Sequence, residues 1–112
     1  MKFKEYQEEA LKTATYKDEN QAIVACLLGL TGEAGEVAEK FKKHIRKEGL
    51  SLDVFTLGFI DSVAKEIGDV LWYVAALSHY LGIDLEHIAK LNIKKLNDRK
   101  ERGVIQSEGD NR

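Results

Sequence analysis

The fold turns on one stretch, Leu28-Gly29-Leu30-Thr31-Gly32-Glu33-Ala34-Gly35-Glu36-Val37-Ala38-Glu39-Lys40-Phe41-Lys42-Lys43. Together with Leu27, the apolar residues Leu30, Ala34, Val37 and Phe41 recur at helical spacing, which predicts a helix. Glu33 and Glu36 are then neighbours one turn apart, where like charges repel. Gly29, Gly32 and Gly35 each cost a helix roughly 1 kcal/mol against alanine. A segment that breaks several local rules together is where function is expected to override stability. The compensation it suggests is a cation held by the carboxylates, with the glycines letting another backbone or a ligand come close.

A second stretch answers the first. Glu66-Ile67-Gly68-Asp69 repeats acid-x-x-acid inside another apolar-periodic segment, Ile60, Val63, Ala64, Ile67, Val70, Leu71, Val74 and Leu81. If the two helices pack side by side, four carboxylates meet in one groove. Hard oxygen donors of this kind suit Mg²⁺, with Mn²⁺ as the alternative.

Working outward, the 112 residues suffice for one domain with a modest core, which favours burying more apolar surface by oligomerising. Seventeen basic against 19 acidic residues leave a net charge of −2, which gives no electrostatic case for binding nucleic acid or a membrane. Proline is absent, the 3.6-period segments alternate and period-2 runs are missing, so the fold class reads as all-α. The lone Cys26 lies in an apolar helical segment, reads as a small core residue and fits a reducing cytosol. The N-terminus carries no signal-peptide pattern, and no apolar run looks long enough to span a bilayer.

The expected helices are Lys4–Tyr16, about Gln21–Arg46, about Ile60–Leu81 and Leu85 to about Arg102. Asp18-Glu19-Asn20 supplies N-cap candidates for the second, Gly82 a C-cap for the third and Asp84 an N-cap for the fourth. On spacing alone Gln7 and Thr13 read as a solvated edge of the first helix. Lys40, Lys42, Lys43, His44, Arg46 and Lys47 crowd the end of the second helix, where cations oppose the macrodipole favourably. Glu39 extends the acidic row as an outer acid or a plain exposed residue. His44 and His79 lack partners at ligand spacing and read as ordinary neutral or solvated side chains. Trp72 reads as core, with a wall for a flat ligand as the alternative. The apolar connector Ser51–Phe59 reads as a turn packed on a partner subunit, or otherwise as a flap. On the fourth helix Asn92, Lys95 and Arg99 form one stripe ending in two cations, usually a solvated edge but suited to phosphate if it faces the acids. By composition, 103–112 is a frayed polar tail.

These motifs, in this order, resemble the MazG-like all-α nucleoside triphosphate pyrophosphohydrolases, in particular the small phage and bacterial members. The resemblance rests on Glu33-x-x-Glu36 with Glu66-x-x-Asp69, and on Glu5-Tyr6-Gln7 with Thr13-Ala14. It extends through Leu28 to Glu36, Gly68 to Tyr73, Asn92-x-x-Lys95-Leu96-x-x-Arg99, and Arg102-Gly103 with Gly109-Asp110-Asn111-Arg112. Twenty-nine residues lie between Glu36 and Glu66, slightly more than is usual there, and the surplus falls in the connector.

The resemblance implies a four-helix domain over 1–102 that assembles by helix packing as a homodimer or tetramer, cytoplasmic, with 103–112 as a tail ordered over the site. It implies Mg²⁺-dependent cleavage of a nucleoside triphosphate between the α and β phosphates, giving monophosphate and pyrophosphate. Glu33, Glu36, Glu66 and Asp69 would hold the metal, with the catalytic base among Glu33, Glu36 and the outer Glu39. Asn92, Lys95 and Arg99 would contact phosphate, and Gln7, Tyr73, Arg102 and Arg112 other parts of the substrate. Two other classes compete. A di-iron bundle needs Glu-x-x-His pairs, which the chain lacks. A non-catalytic interaction or regulatory bundle of the same descent would not need both acid pairs and the cationic stripe intact.

Overall fold

The computed structural model describes residues 1–51, 53 and 55–112. They form four helices: α1 Phe3–Leu11, α2 Glu19–Glu48, α3 Leu57–Tyr80 and α4 Leu85–Glu101, and among the described residues there is no strand. The all-α expectation is met. The long pair α2 and α3 packs most extensively, and α1 and α4 pack on α3 beside it.

The caps explain the boundaries. Asp18 accepts the Gln21 amide (2.8 Å) at the start of α2, and Thr56 accepts the Phe59 amide (3.1 Å) at the start of α3. Thr56 thereby moves that start three residues ahead of Ile60. Gly82, at φ 77°, closes α3 with the Ile83 amide on the Ser78 carbonyl (2.8 Å), a conformation glycine adopts without strain. Asp84 holds the N-cap position of α4, but its side chain makes no capping bond there. α1 stops at Leu11, short of the expected Tyr16, and Thr13 turns its hydroxyl onto the Ala10 carbonyl (2.7 Å).

The inward seam of α2 runs through Ala22, Cys26, Leu30, Glu33 and Val37, none of them exposed. Leu27 and Ala34, expected on that seam, face outward, as do Val24 and Leu28. Ile60 and Ile67 of α3 and Leu91, Ile93 and Leu96 of α4 are also exposed. The buried apolar set is small: Ala10, Ala22, Cys26, Val63, Ala75, Ala76 and Leu85. The chain exposes 8432 Å², where a compact monomer of 12.6 kDa exposes about 6,200 Å². Its radius of gyration is 17.1 Å against about 13 Å for a compact domain of this length.

By length and composition α2 does reach the minimum for crossing a bilayer, which corrects the expectation that nothing does. It carries Glu33 and Glu36 on its length, each costly in hydrocarbon. At its far end Phe41, His44, Phe55 and Phe59 form an aromatic cluster, with His44 stacked on Phe59 at 4.0 Å and Phe41 edge-on to Phe55 at 5.6 Å. Phe55 of the connector therefore packs within its own chain. Leu57 opens α3 almost fully exposed, and the other two apolar connector residues, Leu52 and Val54, lie outside the described residues.

Candidate metal centre

Where α2 crosses α3, Glu33, Glu66 and Asp69 bring one carboxylate oxygen each to within 4.8 Å of one another. Helical periodicity makes this possible. Glu33 sits on the inward seam of α2, and Glu66 and Asp69 are one turn apart on the facing side of α3. Glu36, expected as the fourth member, stays outside that cluster. It is exposed, on the flank of α2 that the helix rotation carries away from α3. It remains close enough to be felt electrostatically. Glu33 is pushed above the usual carboxylate range by burial first, then by Asp69, Glu66 and Glu36.

Three hard oxygen donors on two rigid helices fit a divalent cation. Opposite ligands on Mg²⁺ stand about 4.2 Å apart, so small side-chain rotations would close the set. Lys40 reaches the same cluster from one helical turn beyond Glu36, 3.7 Å from Glu66. Sequence spacing does not predict this cross-helix pairing, since the macrodipole alone accounts for the basic run. Lys40 is more than a third exposed, so the pair balances charge more than it stabilises. Glu39 is occupied elsewhere: its hydrogen bond to Lys42 (2.9 Å) and the nearby Lys43 hold it below the usual range.

Beside the acids opens a cleft of about 390 Å³ lined by Thr13, Glu33, Asp69, Trp72 and Tyr73. Tyr73 lies directly against the backbone of α2 at Gly29. Of the three glycines in the opening stretch, this is the one whose missing Cβ is used, and the close approach is that of a ring, not of backbone or ligand. Trp72 is half-buried, not core. Its indole N–H donates to the Thr13 hydroxyl (2.8 Å) and the Ala10 carbonyl (3.1 Å).

Other expected substrate residues go elsewhere. Gln7 is buried, and its amide donates to the carbonyls of Ala75 (3.1 Å) and Ile83 (3.3 Å) while its oxygen accepts the Leu85 amide (3.0 Å). That last bond serves the first turn of α4 in place of an Asp84 cap. Both donors of Gln7 are therefore spent inside the fold, which corrects the expectation that it reads the substrate. Arg99 is buried and donates to the Asp110 carbonyl (2.7 Å). Arg102 pairs with Asp98 (2.9 Å) and donates to the Arg112 carbonyl. Arg112 itself folds back onto the carbonyls of Val104, Ile105 and Gly109. The tail is thus a set of turns zipped by guanidinium groups to backbone oxygens, not a frayed end. Asn92 and Lys95 line a separate surface depression with Ile88 and Leu91. Within one chain, then, the cationic stripe does not line the cleft of the acids.

Comparison with known proteins identifies the family. The MazG nucleotide pyrophosphohydrolase domain family matches residues 21–104, the span that carries both acid pairs and the α4 stripe. The chain is also similar to the Gene 37 protein of Mycobacterium phage L5, 43% identical over 113 residues and covering 96% of each chain. No solved structure matches significantly.

Proposed function

The chain belongs to the MazG nucleotide pyrophosphohydrolase domain family, and from that premise we propose that it hydrolyses a nucleoside triphosphate between the α and β phosphates. The products are the monophosphate and pyrophosphate, and the role is control of the nucleotide pool, in the cytoplasm. The observation that carries this reading is the convergence of Glu33, Glu66 and Asp69 within 4.8 Å, beside a cleft of ligand size.

A triphosphate brings about four negative charges to a groove that is already acidic, so binding needs a counter-ion. Glu33, Glu66 and Asp69 would hold Mg²⁺, with Mn²⁺ as a substitute, and Glu36 would join them only through a rotation of its side chain towards α3. There the ion would neutralise the phosphates and stabilise the leaving pyrophosphate. The proton of the attacking water goes to Glu33 or Glu36. Glu39 is not suited to that role, since two lysines lower its basicity.

The working unit is a homo-oligomer, a dimer or a dimer of dimers. Each chain exposes about 2,200 Å² more than a compact monomer would, the scale buried by obligate assemblies. Packing of the exposed apolar faces of α2 and α4 between copies brings Asn92 and Lys95 of one copy towards the acids of another, where they contact phosphate. Arg99 supports that helix end by holding the tail.

The test is a screen of normal and modified triphosphates with Mg²⁺, with the products identified. Monophosphate with pyrophosphate is expected. Diphosphate with phosphate, or neither hydrolysis nor Mg²⁺-dependent thermal stabilisation, overturns the proposal and leaves an interaction bundle.

A further inference from the structure

Trp72 offers the largest flat face among the side chains of the cleft that the hydrolytic chemistry leaves unused. It follows Asp69 by three residues, about 5 Å along α3, so a ligand whose phosphates meet the acids extends past it. Its ring is held by the segment that follows α1 and by two tyrosines, one of them Tyr16, tilted against it with centroids 6.4 Å apart. Thr13 donates its hydroxyl proton to the Ala10 carbonyl and turns a lone pair to the indole N–H, which also reaches that carbonyl. Tyr73 stands edge-to-face against it, with centroids 5.0 Å apart, and is itself seated on Gly29. These bonds satisfy the indole N–H at the wall of the cleft and fix the orientation of the ring there. A ring fixed before binding loses little freedom when a flat partner stacks on it.

We infer that Trp72, oriented by Thr13, is the stacking wall for the nucleobase of the substrate. This deepens the pyrophosphohydrolase reading and rests on it. Recognition by stacking uses the face of a base and not its edge, so purines and pyrimidines both bind against the indole.

Trp72 is the one tryptophan of the chain, so its emission reports the contact directly. The full-length protein with Mg²⁺ is titrated with α,β-imido analogues of a purine and a pyrimidine triphosphate, which cannot be cleaved at that bond, and in parallel with inorganic tripolyphosphate. Both nucleotides are expected to quench the emission, and tripolyphosphate to leave it nearly unchanged. Trp72→Leu is expected to weaken nucleotide binding roughly 5- to 150-fold. It should leave tripolyphosphate binding intact, which shows that the variant is folded. Trp72→Phe, which keeps a ring, should recover most of the affinity.

Nucleotides that bind by calorimetry without altering the emission overturn the inference. So does a quench of equal size from tripolyphosphate, or a Trp72→Leu protein that loses both ligands equally. In each case pyrophosphate release by the unmodified protein still stands as a separate result. Failure of that release sinks the reaction itself.

Discussion

Gly29→Ala is the most informative substitution, because two physical terms of similar size oppose each other. Alanine in the middle of α2 should gain about 1 kcal/mol of helix propensity. At Gly29, however, the new Cβ would sit 2.7 Å from Cδ1 of Tyr73 and closer still to Cε1 and Cζ. Carbon atoms pack at about 3.5–4.0 Å, so the ring must move by more than about 1 Å. Overpacking of this kind costs about 1–3 kcal/mol. The sum runs from neutral to about 2 kcal/mol destabilising. Gly32→Ala is the matched control on the same helix, since nothing lies within 4 Å of its added Cβ, and it should be stabilising. The two melting temperatures should differ by at least about 5 °C, read by thermal unfolding at equal chain concentration. Because the displaced Tyr73 borders the cleft, Gly29→Ala should also raise KM for the triphosphate more than Gly32→Ala does. Equal melting temperatures and equal kinetics for the pair would refute the packing account.

Four further outcomes can be measured. Gln7→Leu removes the side-chain partner of the Ile83 carbonyl and the Leu85 amide and the second bond to the Ala75 carbonyl, and should cost about 2–3 kcal/mol in urea unfolding, with kcat of the folded protein little changed; a rise in KM at unchanged stability would restore Gln7 as a substrate contact. Glu66→Gln should abolish the rise in melting temperature on adding Mg²⁺, and a full rise would remove Glu66 from the metal set. For pH, the folded pKa of Glu33 lies above its unfolded value, so ionising Glu33 opposes folding. Metal-free protein should therefore gain stability from this group as pH falls from neutral through the raised value, while Mg²⁺ binding weakens over the same interval. Glu33→Gln should remove that difference, and melts of both proteins with and without Mg²⁺ check it. Light scattering at micromolar concentration should give a multiple of 12.6 kDa, and a stable single chain would refute assembly through the exposed faces.

The helical periods, Asp18 and Gly82 made most of the fold legible in the sequence, because they are local signals. What misled was tertiary. Leu27 and Ala34 fit an apolar stripe, yet α2 is apolar on more than one face, and periodicity cannot say which face meets α3. The run through Thr13 and Ala14 continued a helical pattern, but Thr13 is claimed by Trp72 from 59 residues away. Gln7 looked like an edge residue since its partners lie 68 to 78 residues further on. At the candidate metal centre the acid spacing pointed to Glu33, Glu66 and Asp69, whose carboxylates the fold brings together. It could not rank Glu36, whose place depends on how far α2 is rotated about its axis. Nothing in the composition of 103–112 announced its order, because arginine-to-carbonyl bonds carry no sequence period.

The Gln7 clasp also sets the sequence of events as the chain is made. α1 is made before α2, α3 and α4, yet its anchoring acceptors, Ala75 and Ile83, and its donor, Leu85, are synthesised long afterwards. The α2–α3 hairpin can close and α1 can settle on α3 before this, but the full set of Gln7 bonds waits for Leu85 at the start of α4. Until then Gln7 and the Leu85 amide wait for one another, so a lesion that delays α4 also loosens the far end of the chain from it.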